Sequence, residues 1–238
     1  MREIPGEKES RANHSQDNTV DVVLVCALDR AKVKFTRKRI LIGLLLAVVV
    51  MAMPFAWRAS RERLNSIPAR GGELLKMSPI PTAHYLQNDP AWKDDTIGGS
   101  GERLERVGCT VASLAMAFDH YGVKATPKEL NNFLKTSEGY TLRGWLKWNA
   151  VSKFADGKVA MGYIGPATHA RMDEVLRQQQ PIIVKVFING VIPHWVLVVG
   201  KEGDDYLMRD PLDESKSVKR LSDYESNIYA MRTLKPSR

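Results

Sequence analysis

A cysteine, a histidine and an aspartate in the C-terminal part of the chain are placed for acyl-transfer chemistry. Cys109 follows Gly108 at the point where a loop rich in glycine and charge, residues 98–106, gives way to the apolar run Thr110-Val111-Ala112-Ser113-Leu114-Ala115-Met116-Ala117-Phe118. Val111, Leu114, Ala115 and Phe118 predict a core-facing helical stripe, with Gly122 as its stop. Cys109 then falls in the first turn, where unpaired amides and the helix dipole favour an anion. A thiolate is such an anion, so the position lowers a cysteine pKa and suits a nucleophile. The competing reading is a buried small hydrophobe, the commoner fate of a free cysteine.

The second half of the set comes from strand register. Residues 182–188, 194–199 and 206–210 are predicted strands, the first closed by the turn pair Asn189-Gly190. A three-residue loop at 201–203 puts Gly203 where a left-handed residue is wanted. Continuing that ladder, His194 lies opposite Asp210, and directly opposed residues have Cβ atoms about 4.5–5.5 Å apart. A carboxylate beside an imidazole fixes its tautomer and stabilises its protonated form, as nucleophilic catalysis requires. A slip of one residue would separate them. His84, His120 and His169 lack metal-ligand spacing, and His14 belongs to the N-terminal tail, so neither metal nor organic cofactor is expected.

These groups need elements to hold them. Residues 80–87 predict a short edge strand, followed by the turn Asn88-Asp89-Pro90-Ala91 and a large anchor, Trp92. Thr126-Pro127-Lys128-Glu129 caps a helix running through Leu134. Leu142, Trp145, Leu146 and Val151 predict a further helix over residues 142–154, with Trp145 and Trp148 as core and groove wall. Thr168 to Gln179 is another helix, with Met172, Val175 and Leu176 on one side and Pro181 ending it. Helices first and antiparallel strands last indicate a segregated α+β domain and not a doubly wound sheet.

The net charge of +8 on 238 residues suggests nucleic acid until it is divided. Residues 1–39 carry +3, residues 58–78 carry +3 and residues 79–238 only +2, so the domain is close to neutral and nucleic-acid binding loses its support. The excess flanks residues 40–57, eighteen residues without a charge, close to the length that crosses a hydrocarbon core of about 30 Å. Four parts follow: a tail (1–39), a transmembrane helix (40–57), a juxtamembrane linker (58–78) and the domain (79–238). The heavier upstream count of Lys and Arg predicts a single-pass inner-membrane protein, with a cytoplasmic N-terminus and a periplasmic or extracellular domain. A cleaved signal peptide competes, although the run starts late; Ala56-Trp57-Arg58-Ala59 is the nearest thing to a cleavage site. Cys26 would stay on the cytoplasmic side, apart from Cys109. Residues 20–28 are apolar but too short to span; a short strand, a surface segment and an over-extended gene start all fit them.

From about Pro81 to Arg220 the chain resembles the bacteriocin-processing (double-glycine leader) peptidases, a branch of the papain-like cysteine peptidases. The resemblance is carried by Gln87-Asn88-Asp89-Pro90-x-Trp92, by Gly108-Cys109 with Ala115-Met116 and Tyr121-Gly122, and by Gln180-Pro181. His194-Trp195-Val196 through Gly200 and Tyr206-x-x-x-Asp210-Pro211 complete it. It implies a papain-like fold, a helical part packed on a C-terminal antiparallel sheet. By the same resemblance Cys109 is nucleophile, His194 general acid–base, Asp210 its orienting carboxylate and Gln87 the side-chain oxyanion donor. The implied substrate is a peptide or protein. Relatives commonly have glycine after the nucleophile, where this chain has Thr110, which bears on cleft width and substrate choice. The bacteriocin processors are fused to transporters on the cytosolic side, so their substrate is not carried over. A peptide-binding module that kept the fold without turnover is the alternative.

Overall fold

The computed structural model describes residues 37–237; the tail before Arg37, with Cys26 and the 20–28 segment, lies outside them. The chain divides into two units, Met1–Phe55 and Ala56–Arg238. Helix α1 (Arg37–Leu64) contains the apolar run, and its large side chains, Leu41, Leu45 and Val50 among them, are exposed. Among the described residues no helix is long and apolar enough to cross a membrane.

The second unit is an antiparallel sheet with helices packed against it. Strands β1 (Arg70–Lys76), β2 (Val159–Gly165), β3 (Ile182–Ile188), β4 (Ile192–Arg209) and β6 (Ala230–Pro236) lie in the order β1-β4-β3-β6-β2, and the short β5 (Lys219–Arg220) pairs with β4. The helices are α2 (Leu104–Val107), α3 (Cys109–His120), α4 (Pro127–Thr136) and α5 (His169–Arg177), with two 3-10 segments, Trp148–Gly157 and Leu221–Tyr224. The α+β class expected from element order is the one observed.

Helix α3 is the centre of the core. All residues from Val111 to Phe118 are buried, so the expected stripe is a helix enclosed on every side. It packs on β4 and β3, and Ser113 Oγ donates to the Trp195 carbonyl at 3.0 Å, one residue beyond His194. Gly122, at φ +77°, closes the helix as expected, with Val123 N–H donating to the Phe118 carbonyl at 3.1 Å. Phe118 and Phe133 each meet Phe154 edge-on with centroids 5.2 Å apart, joining α3, α4 and the 3-10 segment. The Thr126–Glu129 capping box forms in full.

Three local expectations are corrected. Residues 80–87 are not a strand. Pro79 and Pro81 lack ladder donors, and the segment is pinned singly instead, Ile80 N–H to the Val199 carbonyl (2.6 Å), Ala83 N–H to Asp119 Oδ2 (2.7 Å) and Gln87 N–H to the Pro211 carbonyl (2.9 Å). The edge strand is β1, inside the stretch read as linker. Residues 142–147 are not helical: Gly144 N–H donates to the Thr141 carbonyl at 2.9 Å and Thr141 N–H to Trp145 at 2.8 Å, a closed turn that leaves Leu142 93% exposed. Gly144, at φ +77°, sits where a Cβ would lie 2.6 Å from Ile97, so the turn is fixed by close approach and helical geometry begins only at Trp148.

The third concerns residues 201–203, which fall within the strand span of β4 and not in a loop outside it. β1 pairs along them, Lys76 opposite Glu202 and Leu75 opposite Gly203. The reversal expected there is nonetheless present. His194 and Asp210, sixteen residues apart, would be separated by roughly 50 Å in one straight strand, yet they touch. Gly203, at φ +66°, is the one residue between them with positive φ.

Candidate active site

Helices α2 and α3 abut through Gly108, whose N–H donates to the Leu104 carbonyl at 2.7 Å. A Cβ on Gly108 would lie 2.4 Å from that carbonyl oxygen, so only glycine lets the two helices meet and puts Cys109 first in α3. The sulfur is buried. Burial pushes its pKa up, but the hydrogen bond and charge of His194 outweigh this, helped by the Trp195 backbone and the Thr110 hydroxyl, and the thiol ends below its ordinary value. Thr110 Oγ1 is 4.0 Å from the sulfur, close enough to contribute to the lowered thiol pKa.

His194 lies on β4 opposite Val186 and is 2% exposed. Its Nε2–H donates to Asp210 Oδ1 at 2.8 Å, which leaves Nδ1 outside that bond. Burial lowers the imidazole pKa, but Asp210 and then Cys109 raise it further, to about 9. Asp210 is held below the usual carboxylate range: burial raises it, and His194, Tyr224 and the Leu212 N–H, at 2.8 Å, more than reverse that. His194 and Asp210 are thus hydrogen-bonded to each other, and His194 is the group that lowers the Cys109 thiol.

Gln87 is 4% exposed, and its Nε2 donates one hydrogen to the Glu105 carbonyl at 2.7 Å, just before Cys109 in the chain. The side-chain oxygen has no protein partner. The segment around Gln87 is tied to the loop after β4: His84 Nε2–H donates to the Asp210 carbonyl at 2.8 Å, and Asn88 Nδ2 to Glu214 Oε1 at 3.2 Å. Trp92 anchors it, with Nε1–H donating to the Leu86 carbonyl at 2.8 Å.

One contact had no signal in the sequence. The Tyr224 hydroxyl donates to Asp210 Oδ2, and its ring lies 5.7 Å from that of His194, tilted by 50°. Nothing in the local pattern of residues 221–224 marks a residue of the site. Trp148 packs on Trp195 with centroids 5.2 Å apart, whereas Trp145 is exposed. A surface hollow of about 600 Å³ is lined by Ser137, Glu138, Lys147 and Trp148 among others and includes none of Cys109, His194 and Asp210. Among the described residues no group of three or more His, Cys, Asp or Glu side chains is placed to hold a metal ion.

Residues 103–228, more than half of the chain, match the family described as the peptidase C39 family. That span includes Cys109, His194, Asp210 and Tyr224 and excludes Gln87. Matching solved structures include one described as a C39-like peptidase from Bacillus anthracis, 16% identical over 70% of this chain and 100% of that one, with a TM-score of 0.41. The family assignment rests on the family match and not on that likeness. Among curated proteins none matches.

Proposed function

From the premise that the chain belongs to the peptidase C39 family, a family of papain-like cysteine peptidases, we propose that it hydrolyses peptide bonds through Cys109, His194 and Asp210, with Gln87 as oxyanion donor. The observation that carries this reading is the buried contact of His194 with Asp210 beside a cysteine whose thiol is held below its ordinary pKa. The Cys109 thiolate attacks the scissile carbonyl carbon. The developing oxyanion is met by the second N–H of the Gln87 amide and by the Cys109 backbone N–H, which as the first helical amide has no intrahelical acceptor. Protonated His194 gives its Nδ1 proton to the leaving amine. It then takes a proton from water, which attacks the acyl-enzyme and releases Cys109. Asp210 stays ionised throughout and keeps the ring oriented.

Anchoring belongs to the same proposal. It is supported by the uncharged residues 40–57, the basic residues on both sides and the exposed apolar side chains of α1. The lysine and arginine excess upstream puts the N-terminus in the cytoplasm and the peptidase domain on the periplasmic or extracellular side.

The test is incubation of the full chain with a diverse peptide pool, with products read by mass across pH. Cleavage is expected, with kcat/KM on a bell-shaped profile. The acid limb is the ionisation of Cys109, below the ordinary thiol range, so activity rises with pH there. The alkaline limb is loss of the His194 proton around pH 9, so activity falls above it. Peptide retained but uncut at every pH would overturn the enzymatic reading in favour of a peptide-binding module.

A further inference from the structure

We propose that Tyr224 is a positioning residue for the reaction: its hydroxyl locks the Asp210 carboxylate in the one orientation that serves His194, while its ring holds the imidazole from the side. This rests on the peptidase reading and adds to it a residue that composition, spacing and family motif do not point to.

Asp210 Oδ1 accepts from His194 Nε2 at 2.8 Å and from Leu212 N–H at 2.8 Å. With only these, the group would be free to turn about its Cβ–Cγ bond and exchange oxygens. The Tyr224 hydroxyl on Oδ2 removes that freedom, since both oxygens are then occupied by donors from separate parts of the chain. The phenol pKa is pushed up by burial and by Asp210, so the hydroxyl stays a donor over the whole range in which the thiolate and imidazolium coexist.

Tyr224 is itself placed by a chain of contacts that avoids the triad. Its 3-10 turn is anchored by fully buried Leu221 and by Ser222, whose Oγ donates to Asp205 Oδ2 at 2.6 Å. Asp205, buried on β4, also pairs with Arg70 of β1 at 3.1 Å. The turn closes with Glu225 N–H on the Ser222 carbonyl at 3.0 Å. The charged and titratable groups facing the phenol are Asp210 and Cys109, with Asp213 beyond, itself paired with Lys219 at 2.9 Å; His194 lies against the ring.

Two variants of the full chain test it. Tyr224→Phe keeps the ring and removes the donor. It is expected to lower kcat about tenfold with KM unchanged, the scale of one charge-assisted hydrogen bond partly realised in the transition state. The alkaline limb moves upward, because a carboxylate no longer shared with a phenol stabilises the imidazolium more strongly. Ser222→Ala loosens the turn without touching the triad and is expected to shift both quantities the same way by a smaller amount. The His194 ring is titrated in parallel by NMR, which needs no turnover. A wild-type protein that cleaves nothing defeats the peptidase reading, and the imidazole titration of Tyr224→Phe still decides the role of Tyr224. An unchanged kcat and an unchanged imidazole titration in Tyr224→Phe would overturn the proposal. So would a fall in activity matched only by a fall in folded fraction, with no movement of either limb.

Discussion

Cys109→Ala is expected to lower kcat about 10⁵- to 10⁶-fold, the loss typical of removing a nucleophile from a set that acts as a unit. The fold should survive it. The sulfur is small and buried at the start of α3, and Ala112, Ala115 and Ala117 already sit in the same helix without strain. Far-ultraviolet circular dichroism and peptide cleavage measured on the same preparation check this directly. The account requires helix content to hold while turnover and labelling by a thiol-directed probe at this position vanish. Cleavage persisting in the alanine variant would place the chemistry elsewhere in the chain.

The second large effect concerns stability and lies away from the triad. Lys201 and Asp173 are both fully buried and meet at 2.6 Å. Lys201 Nζ also donates to the Gly71 carbonyl at 2.7 Å, and Asp173 Oδ2 accepts from Glu73 N–H at 2.7 Å. The pair therefore fastens β1 and α5 to β4, with Tyr206 donating to Asp173 at 3.2 Å and His169 against Tyr206 at 3.0 Å. Gly71 and Gly72 are required there, because a Cβ at Gly72 would lie 2.2 Å from Asp173 Oδ2. Lys201→Met strands a buried carboxylate and is expected to cost about 3–5 kcal/mol in denaturant unfolding. The double variant Lys201→Met/Asp173→Leu removes both charges and should recover part of that loss. A cost below about 1 kcal/mol for the single variant, the value of an exposed pair, would contradict this assignment.

Elements set by neighbours in the chain were legible. The Thr126–Glu129 box opens α4, Asn189 and Gly190 both take positive φ at the β3–β4 turn, and Gly203 marks the reversal that brings His194 to Asp210. The His194–Asp210 contact was readable because it depends on one reversal. Elements set by distant partners were not. β1 carries two glycines and reads as linker; what holds it on the sheet includes Lys201 and Asp173, a hundred residues or more away. β2 and β6 lie on the sheet's far side without turn signatures of their own; they pair with each other, and β6 alone pairs with β3. Residues 142–147 have helical spacing, but the fit of Gly144 against Ile97 overrides it. Tyr224 reaches Asp210 through a turn anchored on Asp205, a relation no local pattern encodes.

The central claim is that a sulfur at a helix start is held as an anion by an imidazolium on the sheet. The rate of alkylation of Cys109 against pH, read on the peptide that contains it so that Cys26 does not contribute, measures this directly. The account predicts an inflection below the ordinary thiol value of about 8.5, moving up when His194→Ala removes the partner charge. An inflection at or above that value, unmoved by His194→Ala, would contradict it.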